Sequence, residues 1–164
     1  MKKTILYIVL CTLVLSLAGC GAKRSQAYYD KPSQLLSVNY DGTFVIRTQV
    51  RSRNASLIFD DAQRKAVEEV IFDGVKSASS SVADLKPLCF DMNAREKYED
   101  YFRIFFRDGG EWTKYAGLKD KRSGSTRYER TSSQTVGTVT VTVDRAALKT
   151  RLQADGIIPE EGRY

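Results

Sequence analysis

The stretch from Thr43 to Val75, TFVIRTQVRSRN followed by ASLIFDDAQRKAVEEVIFDGV, constrains the fold more than any other part of the chain. In its first half Phe44, Ile46, Thr48 and Val50 alternate with Val45, Arg47, Gln49 and Arg51. That period of two belongs to a half-buried strand, with the cleaner apolar face on the even positions. In its second half the apolar positions fall at Ile58/Phe59, Ala62, Ala66, Val70 and Phe72, a helical spacing. Asn54 or Ser56 can cap the helix start, Asp60 and Asp61 suit the positive end of its dipole, and Gly74 suits the exit. Small side chains at 62 and 66 let such a helix lie close on a sheet. A strand turning into a long helix is therefore the expected nucleus.

The first 20 residues carry an address rather than a fold. Lys2 and Lys3 precede an apolar run from Ile5 to Leu17, shorter than the roughly 20 residues a membrane span needs. The run ends in Leu17-Ala18-Gly19-Cys20. This order resembles the signal peptide and lipobox of bacterial envelope lipoproteins. The resemblance implies that Cys20 is acylated and becomes the first mature residue, tethering the chain to a lipid bilayer. Two or more acyl chains hold where one binds only marginally. Gly21 after the cysteine implies outer-membrane sorting, with the domain facing the periplasm and cell-surface exposure left open.

The expected organisation is a signal peptide over 1–19, acylated Cys20 and a flexible tether over 20–36, one α+β domain over 37–159, and a short tail over 160–164. Leaving out residues 1–19 removes two of the 26 basic and none of the 20 acidic residues, so the remainder carries +4. That excess is too diffuse for a nucleic-acid footprint, and no nucleic-acid partner is expected. The chain has no histidine. Histidine-based nucleophilic catalysis and histidine-ligated zinc are thereby excluded, and neither a metal nor another cofactor is expected. With Cys11 in the signal peptide and Cys20 used by lipid, Cys89 stands alone, and its setting in Pro87-Leu88-Cys89-Phe90 reads as a buried, inert thiol.

Past the nucleus, Asn93 and Glu96 have the spacing of a capping box before a helix over about 94–107, strongly aromatic on one face. A strand is expected over Glu111–Leu118, and a polar, basic hairpin tip or mobile loop between strands over Lys119–Arg130. A strong strand follows at Thr135–Val143, its odd positions apolar from Val139 on. Asp144 then caps a helix Arg145–Ala154 that exits at Gly156. Together the elements predict an α+β fold: an antiparallel sheet of three to five strands with two or three helices packed on one face. Thr43–Val75 and Val139–Gly156 resemble the small domain of envelope lipoproteins and of the N-terminus of flagellar assembly protein T. That likeness implies a structural or interaction module.

Paired carboxylates at Asp60-Asp61, Glu68-Glu69 and Glu99-Asp100 have cations at helical spacing and read as solvated helix faces rather than catalytic pairs. The candidate binding residues are Tyr101, Arg103, Trp112, Lys114 and Tyr115 of the aromatic region, with Lys121, Arg122 and Arg127 of the basic loop. Aromatics interleaved with cations suit either a core alone or a core with an exposed edge. The expected function is a non-enzymatic, membrane-anchored envelope lipoprotein whose domain binds an envelope protein. The alternative is a small-ligand or glycan-binding lipoprotein using the aromatic and basic edge.

Overall fold

The computed structural model of the chain describes residues 31–52, 54–119 and 135–160, and the backbone of Arg127–Arg130. The expectations for Cys20, Lys121, Arg122, the Arg127 side chain and residues 161–164 lie outside these residues.

Strand β1 (Gln34–Val38) pairs antiparallel with β2 (Phe44–Ser52). The turn between them is fastened by Asp41, whose Oδ1 accepts from the Thr43 N–H at 2.9 Å, with Gly42 at φ 83°. A single 3₁₀ turn, Ala55–Leu57, capped by the Asn54 side chain, leads into α1 (Ile58–Phe72). The two-residue β3 (Lys76–Ser77) lies parallel to β1. Two short helices follow, α2 (Ala94–Lys97) and α3 (Glu99–Phe105). A 3₁₀ turn at Glu111–Lys114 precedes β4 (Ala116–Leu118). The chain ends in β5 (Arg127–Arg130), β6 (Thr135–Val143) and α4 (Arg145–Ala154).

The α+β class and mostly antiparallel sheet are those the pattern predicts. The path β3-β1-β2-β6-β4 has five strands, and β5 joins as a sixth by also pairing with β6. In β2 the even residues Ile46, Thr48, Val50 and Ser52 are buried, and they face Val141, Val139, Gly137 and Thr135 of β6. Directly opposed residues share a face, so this register makes one inner surface. Helix α1 lies on it through Ile58, Ala62, Ala66, Val67, Val70 and Ile71, each 0 % exposed. The approach is close enough that a Cβ at Gly137 would stand 2.3 Å from Ile58 Cγ2. Only glycine fits beneath the first turn of that helix.

The return from α1 is built on backbone pairing. Gly74, at φ 74°, lets the chain reverse, and the Leu88 and Cys89 N–H groups donate to the carbonyls of Val70 and Ile71 at 3.1 and 2.8 Å. Those carbonyls would otherwise be orphaned at the helix end. Cys89 is buried there, and burial followed by the charge of Asp91 pushes its thiol up to about 11.

Four local expectations are corrected. The aromatic helix is broken at Tyr98 (φ −117°, ψ 32°) into α2 and α3, and the Asn93 side chain caps neither. Asp91 instead closes a turn before α2, its Oδ1 accepting from the Asn93 N–H at 3.1 Å. Glu111–Lys114 forms a 3₁₀ turn, leaving only three residues of strand. Of the stretch expected as tip or loop, Arg127–Arg130 is strand β5, and residues 120–126 lie outside those described. Leu118 faces Val141 and Arg127 faces Thr138, so both β4 and β5 run along one edge of β6. Finally, residues expected in the tether belong to the domain: Ser33 and Leu35 are 2 % and 1 % exposed, and Gln34 opens β1.

Candidate functional site

The aromatic region is a stacked layer on the helical side of α1. Phe102 meets Phe72 of α1 edge-on at 4.7 Å between ring centroids, Tyr101 stacks on Phe105 at 5.8 Å, and Phe105 stacks on Tyr115 at 6.1 Å. Trp112 lies within the core, 2 % exposed, its Nε1–H donating to the Arg107 carbonyl at 2.9 Å. An indole so placed packs the domain and has no face left for a ligand. Tyr101 donates its hydroxyl to Asp155 Oδ2 at 2.6 Å; burial and that hydrogen bond push its pKa far up. Arg151 joins Asp155 (2.9 Å) to Glu111 (3.1 Å), tying α4 to the turn before β4. The two candidate cations sit on this rim already paired, Arg103 with Asp100 at 2.6 Å and Lys114 with Glu111 at 3.3 Å. Tyr101, Trp112 and Tyr115 thus come together as structure, with Arg103 and Lys114 held in local ion pairs.

Ile104 of α3 is 59 % exposed, and a further exposed apolar pair lies in the turn before α2. Phe90 and Met92 flank Asp91 in the turn before α2, and they are 74 % and 97 % exposed. A groove of about 490 Å³ begins at Asp91 and is lined by Lys97, Tyr98, Gln153, Ile157 and Pro159, among others. It runs between the start of α2 and the exit of α4. Lys97 is held there by Asp91 at 3.6 Å and lies 5.1 Å over the Tyr98 ring. Large apolar side chains exposed in a turn gain nothing within this chain, and two at one turn suit contact with another surface. Sequence periodicity did not single them out, because LCFDMN belongs to no helix or strand. Two large apolar residues alternating with a turn-forming Asp was the only available signal.

The paired carboxylates of α1 are also corrected. Asp61 and Lys65 are 5 % and 2 % exposed, so this stripe is not a solvated face. Lys65 Nζ donates to the carbonyls of Lys31 and Gln49, the latter at 3.0 Å, and pairs with Glu69 at 3.6 Å. Glu69 in turn accepts from the Ser33 N–H at 3.1 Å, and Ser33 Oγ donates to Thr48 Oγ1 at 3.0 Å. Burial raises the pKa of Glu69, while Ser33 and the Lys65 charge oppose the rise. This clasp fixes the chain at residues 31–33 to both α1 and β2.

Among the described residues no group of three or more Cys, Asp and Glu side chains is gathered as a metal would require, and no helix is long and apolar enough to cross a membrane. No protein-family model, curated protein or solved structure matches the chain, and its site is therefore defined by its own chemistry.

Proposed function

We propose that this chain is a non-enzymatic lipoprotein of the cell envelope, anchored in the outer membrane through acylated Cys20 and facing the periplasm, whose domain docks another envelope protein. The observation that carries the reading is the order of Lys2-Lys3, the apolar run to Leu17 and Leu17-Ala18-Gly19-Cys20. The exposed Phe90 and Met92 beside the groove support the docking role, since apolar anchors with a polar surround are what protein interfaces use. The tether between anchor and domain shortens in this reading. Ten residues, 21–30, separate Cys20 from the clasp at Lys31, enough to span at most roughly 35 Å when extended.

Metabolic labelling with an alkyne palmitate analogue tests the anchor: wild type is expected to take up label and Cys20→Ala to lose it. An unlabelled wild type sinks the localisation. Photocrosslinking from position 90, with exposed Ser80 as control, tests the face. A discrete adduct from 90 alone is expected, and equal yields from both positions refute docking there.

A further inference from the structure

The outer face of the sheet, opposite α1, carries a second cleft of about 370 Å³, lined by Lys31, Pro32, Gln34, Arg47, Gln49 and Thr138. We propose that this cleft binds a phosphate-bearing polyol, such as a glycerol phosphate group. Its lining holds two cations and no acid. Gln34 lies opposite Arg47 across β1 and β2, and Gln49 lies opposite Thr138 across β2 and β6, so donors and acceptors form one row over three strands. Arg47 and Gln49 are two apart and point to the same side. Arg47 and Lys31 are exposed, and neither side chain has an ion-pair partner among the described residues. Two such cations converging without a counter-charge favour an anion. The planar fork of an arginine matches phosphate in two-pronged fashion, and the amides and hydroxyl suit neighbouring alcohol groups. The volume falls within the range of small-molecule sites.

The cleft is built, not incidental. Its two walls, Lys31 and Gln49, are pinned from behind by one group: the buried Lys65 ammonium donates to both of their carbonyls. Lys65 is thus a positioning residue, holding the loop at 31 against β2 so that the Lys31 and Arg47 side chains stay over the same cleft. In register, Arg127 stands opposite Thr138 at the far end of the row.

One phosphate chemistry has two sources here, a free polyol phosphate and a lipid headgroup, and two probes separate them. The full chain is titrated with sn-glycerol 3-phosphate, and separately with vesicles of phosphatidylglycerol in phosphatidylcholine against phosphatidylcholine alone. Saturable binding is expected for one or both phosphate probes, weakened about tenfold or more by Arg47→Gln and by Lys31→Gln. Arg47→Lys, which keeps the charge and loses the fork, is expected to fall between. Arg103→Gln, a cation paired elsewhere, is expected to leave binding unchanged. Binding of the soluble probe assigns a free ligand; binding of the anionic vesicles alone assigns a headgroup. No binding of either probe, or binding that Arg47→Gln and Arg103→Gln weaken alike, overturns the proposal. The outer-face substitutions are at exposed positions, so unchanged melting temperatures are expected, and they separate a lost site from a lost fold. Failure here leaves the acylation of Cys20 untouched, because the two readings share no residue.

Discussion

At the scale of single residues, the clasp at Lys65 decides where the domain begins. A buried ammonium is costly unless its protons are used, and Lys65 uses them on two carbonyls with Glu69 close by. Lys65→Ala would leave those carbonyls and Glu69 without their partner in a site water reaches poorly. A loss of about 3–5 kcal/mol is expected, read as a fall in the urea midpoint; a loss below about 1 kcal/mol would show that water replaces the ammonium at no cost. Glu69 gives the same site a pH signature. Its folded pKa is raised above the ordinary 4.5, chiefly by burial, so the folded state holds this proton more tightly than the unfolded chain. The stabilisation it gives is therefore complete below 4.5 and is lost as pH rises through the raised value. Between pH 7 and 4.5, wild type should gain stability relative to Glu69→Gln as pH falls. A difference between the two proteins that stays constant over this range would contradict the assignment. None of this was legible beforehand. At i, i+4 spacing Asp61, Lys65 and Glu69 look like any solvated ladder, and only the chain at 31–33, folded over them, turns the ladder inward.

At the scale of elements, β2, β6 and the two long helices were legible, whereas β1, β3, β5 and the short helices were not, for a physical reason. In β2, β6, α1 and α4 nine or more residues repeat one period, so propensity, pattern and cap agree. The segment 94–107 has helical spacing too, yet its aromatic residues are held by contacts to Phe72, Tyr115 and Asp155 that lie far along the chain. Those contacts favour the break at Tyr98 over a continuous helix. The caps divide in the same way. Asp144 Oδ1 accepts from the Ala147 N–H at 2.9 Å, whereas Asn93 makes no cap bond. Asp144→Ala is expected to cost about 1 kcal/mol and Asn93→Ala close to nothing, measured side by side by thermal unfolding. Equal losses would mean that the box spacing at Asn93 and Glu96 acts after all. The groove beside Phe90 and Met92 stayed hidden because an irregular turn carries no period to read.

At the scale of the whole molecule, one continuous core joins the elements: buried side chains from Leu35 of β1 to Ile158 beyond α4 belong to a single cluster that includes Trp112. The two faces of the sheet are then given different tasks. The inner face is closed by α1, while the outer face keeps the polar row around Arg47, and the aromatic layer packs against Phe72 of α1 with Tyr101, Phe106 and Tyr115 half-buried. Trp112 is the one tryptophan of the chain, which makes this arrangement measurable. It sits on the helical side, distant in sequence from β1 and β2, so its environment reports on the core only if both sides fold as one unit. Native emission is expected to be blue-shifted and nearly unquenched by iodide, because an indole 2 % exposed is shielded from the ion. On heating or in urea, the red shift of Trp112 and the loss of far-ultraviolet dichroism should follow one curve, as a two-state transition requires. Separate midpoints would show that the aromatic layer melts independently of the sheet, and residues 37–159 would then be two cooperative units rather than one.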